Sequence, residues 1–229
     1  MLAVVFVHYD LPEERLRHHM LWNTFRYMEV DSVVVMSPAC ESLIAVAITA
    51  RGGTNFGFRP RAYMNPMPVF SLSATKNFGI QQAIDAGYDR IAATDADIAW
   101  TPEAIEACKN VEPKEAIVPV YRMAQTFETR HEVSHPDHGC GGTVCMTAAN
   151  WKRAMYDERY VGYGGEDGRL RRDIAKLGIH ERRETEVYHI AHDPTAPQVN
   201  VPGAGRADCW NRDGINPDNW AANRKLIDG

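Results

Sequence analysis

The chain has 229 residues, of which 45% are hydrophobic and 24% charged, and its formal net charge is −5. A chain of this length buries a full core without a disulfide or zinc staple, and its acidic balance gives no electrostatic reason to expect a nucleic-acid partner. The arginines at 169, 171 and 172 read as a solvated helix face. Five cysteines, Cys40, Cys108, Cys140, Cys145 and Cys209, show no C-x-x-C spacing, which predicts buried free thiols in a reducing compartment. The N-terminal apolar run has no basic flank and stops too early for a signal or anchor. No later stretch is long enough to span a bilayer, so a cytoplasmic location is expected.

In chain order, residues 3–8 form a continuous β-branched and apolar run, as in a strand covered on both faces. Pro12 opens an amphipathic stretch in which Leu16, Met20, Leu21, Phe25 and Met28 recur at helical spacing. Residues 32–36 read as a second strand, and 51–68, rich in Gly, Asn and Pro, as loop. A helix is predicted over 73–86, with Gly87 just past its end. Residues 90–94 form a strand that runs into Asp95-Ala96-Asp97. Thr101-Pro102-Glu103 then supplies a cap, a first-turn proline and an acidic first turn for the next helix. This alternation predicts an α/β fold with a parallel sheet and right-handed crossovers. Ligands of such sheets sit beyond the carboxyl ends of the strands, where both His8-Tyr9-Asp10 and Asp95-Ala96-Asp97 fall.

Strands are also expected over 117–123, 143–147 and 186–192, with a helix over 167–177 stopped by Gly178. No internal repeat is visible, and the tail after Pro194 carries no assignable pattern.

Four constellations offer chemistry. Two carboxylates at a strand end, Asp95 and Asp97, can hold a Mg²⁺ or Mn²⁺ ion that binds a diphosphate, although D-x-D also occurs in ordinary surface turns. Gly162-Tyr163-Gly164-Gly165-Glu166-Asp167 places glycines and paired acids at a helix start. There a carboxylate can act as general base toward a sugar hydroxyl, or simply cap the helix. His189 and His192 can meet at one metal if the strand bends at Asp193-Pro194; otherwise one is buried and one exposed. His131, His135, His138 and Cys140 crowd one loop and admit a zinc reading, though their spacing fits no standard finger.

The run from Cys140 to Ile179, CGGTVCMTAANWKRAMYDERYVGYGGEDGRLRRDIAKLGI, resembles the C-terminal half of the β-1,4-galactosyltransferase catalytic domain. It is also similar to the related N-acetylgalactosaminyltransferase and chondroitin-polymerase modules. Lys76-Asn77-Phe78-Gly79 and Asp95-Ala96-Asp97 resemble the K/R-N-x-G and D-x-D segments of GT-A glycosyltransferases. The resemblance spans most of residues 1–195, and its specific part is the G-G-E-D block. It implies one GT-A domain: a nucleotide-sugar-binding half over 1–100, an acceptor and catalytic half over 101–195, and a tail over 196–229.

The resemblance further implies an inverting transfer from a UDP-sugar to the hydroxyl of a glycan or other acceptor. Asp167 would be the catalytic base. Asp97, His189 and His192 would hold Mn²⁺ or Mg²⁺. Asp95, Lys76, Asn77, Gly142, His8 and Tyr9 would border the donor, and Tyr163, Gly164, Gly165 and Glu166 the acceptor. Tyr163 stands where the family carries tryptophan, and Gly168-Arg169 where an acid commonly follows. Three alternatives remain: a retaining transferase on the same fold, a sugar nucleotidyltransferase, or a zinc-stabilised binding module built on residues 131–140. The nucleotidyltransferase reading lacks the Gly-rich loop expected after the first strand.

Overall fold

The computed structural model describes residues 1–8, 31–36, 61–64, 71–95, 98–124, 142–160, 165–190 and 225; residues 8, 31–36, 61–64, 122–124, 189 and 190 are described by their backbone. Four strands run parallel at one side of a seven-stranded sheet: β1 Leu2–His8, β2 Asp31–Met36, β3 Arg61–Met64 and β4 Arg90–Asp95. β8 Val144–Thr147 pairs antiparallel with β4, and beyond it lie β6 Glu115–Ile117 and β9 His180–Arg182. Because β6 reverses again and pairs parallel with β9, the order β3-β2-β1-β4-β8-β6-β9 contains one reversed strand, β8. A smaller sheet joins β5 Ile98–Trp100, β10 Glu186–Ile190 and β7 Val120–Ala124.

The apolar runs in β1 and β4 follow from burial of both sheet faces. Ala3, Val5, Ile91 and Ala93 pack on one side with Ile80 and Ala83 of helix α1 Leu72–Asp85 and with Leu170 and Ile174 of α4 Glu166–Lys176. Leu2, Val4 and Ala92 pack on the other side with Ala104 and Ile105 of α2 Pro102–Lys109, and with Trp100 and Val187 of the small sheet. A short helix, α3 Ala148–Trp151, buries Trp151 in the first of these cores.

Local punctuation acts as its chemistry requires. Ser71 caps α1 by accepting from the Ala74 N–H at 3.2 Å, and Gly87 follows the helix at φ 85°. Thr101 caps α2 by accepting from Ala104 N–H at 3.1 Å, with proline and Glu103 in the first turn. The described cysteines, Cys108 and Cys145, are free and buried.

Two expectations need correction. The segment 51–68, read as loop, contains β3, a four-residue strand that pairs only with β2 and is too short to show a period. The single strand expected over 117–123 is two, β6 and β7, in different sheets. Pro119 has no N–H for the ladder, and at that point Val118 donates to Arg182 O at 2.9 Å while Val120 donates to Thr185 O at 2.7 Å. The short strands β5 and β9, formed by long-range pairing, had no sequence signal. The amphipathic stretch after Pro12, the loop 131–140 and the tail lie outside the described residues.

Candidate active site

The site begins where β1 and β4 end. Val7 pairs with Asp95, so Asp95 closes β4 at the carboxyl edge of the parallel strands, and the His8 backbone lies one residue beyond, opposite Met36. α1 brings Lys76 beneath the same edge, with its side chain 0% exposed. The ammonium sits 2.8 Å from Asp95 Oδ1, donates to Gly142 O at 3.1 Å, and lies 3.8 Å from Asp167 Oδ1. It also rests over the Tyr156 ring, 5.1 Å from the centroid. A buried lysine needs such partners, because desolvating an unpaired ammonium is very costly. Burial alone would lower the Lys76 pKa, but Asp95, Tyr156 and Asp167 together hold it well above its ordinary value.

Asp167 reaches this point as the second residue of α4. Gly165 occupies the N-cap at φ 92°, a left-handed conformation that a side chain disfavours, and its carbonyl accepts the first helical bond from Arg169 at 3.1 Å. Gly165 has no side chain with which to cap this helix end. Asp167 Oδ1 is buried and accepts no hydrogen bond, while the side chain as a whole is 22% exposed. Desolvation pushes the Asp167 pKa up to about 8; Lys76 opposes that rise, and Glu166 and Asp95 add to it. A carboxylate with that environment is poised to exchange a proton near neutrality.

Gly142 supplies space as well as its carbonyl. A Cβ there would overlap the Asp95 carboxylate and meet the Tyr121 hydroxyl at 2.7 Å. Beside it, Thr143 Oγ1 lies 2.9 Å from Thr94 Oγ1 and 3.2 Å from the Tyr121 hydroxyl, so hydroxyl contacts tie β4, β7 and the start of β8 together.

Lys76, Asp95, Gly142 and Asp167 therefore converge. Asn77 does not join them. It clamps the Tyr156 backbone, donating to Tyr156 O at 2.9 Å and accepting from Tyr156 N–H at 2.9 Å, and it also donates to Glu158 at 2.9 Å. Glu166 is buried at 2% exposure. The His189 backbone lies opposite Ile98, the residue after Asp97, in the β10–β5 pairing. Tyr9, Asp97, Tyr163, Gly164 and His192 lie outside the described residues, as do the side chains of His8 and His189. Among the described residues no group of three metal-ligating side chains occurs.

Tyr156 was not singled out by the sequence. Its ring floors the lysine, stacks on Trp151 with centroids 5.9 Å apart, and is held through Asn77; Trp151 Nε1 in turn donates to Ile91 O at 2.8 Å. One aromatic among several between 151 and 163 gives no sequence signal for that role.

The mixed α/β fold with a mostly parallel central sheet is of the GT-A type. Solved structures agree at the level of fold. The chain superposes on S. aureus TarS 1–349 with a TM-score of 0.58 at 12% identity, covering 82% of this chain and 60% of that one. The complex of the same TarS piece with UDP-GlcNAc gives 0.57 at 14% identity, covering 84% and 59%. A Desulfovibrio desulfuricans G20 protein assigned as a nucleotide-diphospho-sugar transferase gives 0.51 at 13% identity, covering 98% and 97%. The chain thus spans about three-fifths of the TarS piece. No protein-family model matches the chain, and no curated protein matches it in sequence.

Proposed function

We propose that this protein is a metal-dependent, inverting glycosyltransferase that moves a hexose or N-acetylhexosamine from a UDP-sugar to an acceptor hydroxyl. The observation that carries this reading is the meeting of Asp95 and Asp167 at one buried ammonium, on the carboxyl edge of the sheet. Asp95 would face the donor diphosphate, and the Asp167 pKa, pushed up to about 8, suits a general base. The solved TarS complex with UDP-GlcNAc supports a UDP-sugar donor on this fold. The likeness of the Gly162–Asp167 block to galactosyltransferase-type enzymes supports an inverting displacement.

Asp97, His189 and His192 would hold the divalent cation. The carboxylate of this set suits Mn²⁺ or Mg²⁺, and the His189 backbone lies opposite Ile98, the residue after Asp97, which supports the reading. A bound cation would neutralise charge on the departing diphosphate. The chain's own residues do the rest. Asp167, once ionised, accepts the proton of the acceptor hydroxyl as that oxygen bonds to the anomeric carbon. The bond from that carbon to the diphosphate oxygen breaks, and the pair leaves with UDP. Gly164 and Gly165 would give the acceptor room beside Tyr163 and Glu166, and His8 and Tyr9 would border the nucleotide base.

A donor-hydrolysis screen of UDP-, GDP- and dTDP-sugars, with Mn²⁺ and with EDTA, tests the reading. UDP release that EDTA abolishes is the expected result. Release of pyrophosphate from UTP and a sugar 1-phosphate, with no UDP formed from UDP-sugars, would replace it with a nucleotidyltransferase. The anomeric configuration of the product decides inversion against retention.

A further inference from the structure

Lys76 is expected at the donor, and its described partners are all within the protein. The side chain is 0% exposed, at the fifth position of α1, under the edge of the sheet. Its ammonium has three N–H groups. Asp95 Oδ1 at 2.8 Å and Gly142 O at 3.1 Å take two, and the third direction has Asp167 Oδ1 at 3.8 Å, with the Tyr156 ring closing the space at 5.1 Å.

The three oxygens come from elements that share no local contact in sequence. Asp95 ends β4, Gly142 precedes β8, and Asp167 opens α4. Between them they span the donor-side and acceptor-side halves of the proposed site. Two carboxylates approaching one point repel unless one is protonated or a cation lies between them. Asp167 Oδ1 accepts no hydrogen bond, so Lys76 is the nearest described cation to it. Asp95 is further wedged by the bare Gly142 backbone, where a Cβ would overlap its carboxylate.

We propose that Lys76 is a positioning residue: an internal counter-charge that fixes Asp95 and Asp167 relative to each other and never touches the donor. The assignment rests on the glycosyltransferase reading for what the two aspartates do, but not for the juxtaposition itself. It predicts that removing the ammonium frees the base from its cation and loosens Asp95, without deleting a direct contact to the donor.

The test is Lys76→Met, which keeps the length of the side chain and removes its charge, read in two ways. The first is the Asp167 carboxyl titration followed by ¹³C NMR in metal-free buffer, which needs no turnover. The groups acting on that carboxyl besides Lys76 are Glu166, Asp95, Arg171 and Tyr156, and all of them stay in place. The second is UDP affinity by calorimetry with Mn²⁺. The expected result is a titration midpoint at least one pH unit higher than in the wild type, with UDP affinity falling no further than in Asp95→Asn measured alongside. A smaller rise overturns the proposal, and so does a loss of UDP affinity greater than that of Asp95→Asn, which would make Lys76 a donor ligand. Should Lys76→Met not fold, Lys76→Gln, which also removes the charge but can still donate to Asp95 and Gly142, is titrated in the same way, and the same one-unit rise decides the case. If the wild type turns over no nucleotide sugar, the glycosyltransferase reading fails, while the titration still decides the role of Lys76.

Discussion

The Asp95 carboxylate occupies the space that a Cβ on residue 142 would fill, so the last side chain of β4 fits only because Gly142 has none. The relationship is steric and long-range, and the Gly142 carbonyl adds to it by accepting from Lys76 at 3.1 Å. Gly142→Ala should displace Asp95 or the Lys76 ammonium. Overpacking of this kind costs about 1–3 kcal/mol. Urea unfolding should show a loss in that range, and turnover should fall at least tenfold through the displaced carboxylate. Wild-type stability with full activity would mean that the 142 backbone does not hold Asp95.

Asp167→Asn keeps the shape of the base and removes its charge. General-base catalysis contributes about 10²–10⁴-fold, so turnover should fall by that order. Stability should move the other way. The native carboxyl titrates at about 8 against an ordinary value of 3.8, so between those values the folded chain holds a proton that the unfolded chain has released. Stability therefore falls as pH rises through that window and levels off above it. Asparagine removes that loss, so the thermal midpoint at pH 8 should rise above the wild-type value, and the gap should narrow toward pH 4. Scanning calorimetry at the two pH values checks both signs.

Turnover carries the opposite dependence. The base must be ionised to accept a proton, and desolvation holds its pKa at about 8. Activity at saturating donor should climb with pH and reach half its plateau near pH 8, on the acid limb of the profile. A plateau already complete at pH 6 would assign the proton transfer to another group.

Asn77 grips the Tyr156 backbone through both ends of its amide. Asn77→Ala leaves the Tyr156 N–H and carbonyl without those partners, and an unsatisfied buried group costs about 1–3 kcal/mol. The variant should unfold at lower urea. UDP affinity should stay close to that of the wild type, since the described contacts of Asn77 are to Tyr156 and Glu158. A large loss of UDP affinity at unchanged stability would return Asn77 to the donor subsite.

Much of the frame was legible along the chain because it is set by neighbours in sequence. The unbroken apolar run of β1 requires two buried faces, Thr101-Pro102 starts α2 and Gly87 and Gly178 end α1 and α4 through positive φ. Asp95 at a strand end and Asp167 at a helix start could likewise be located one at a time. β3, β5 and β9 could not, since strands of three or four residues carry no period and exist through pairing with distant partners.

What the sequence alone determined was the class of fold and the identity of the two acids. Tertiary structure decided that they meet, and on what: a lysine expected to bind the donor is fully buried between them, and a glycine expected beside the donor is the gap that Asp95 fills. Burial and charge pairing are properties of residues far apart in the chain, so no spacing between letters encodes them. An ammonium out of water must be neutralised by whatever the fold brings to it, and here the fold brings both carboxylates of the proposed reaction.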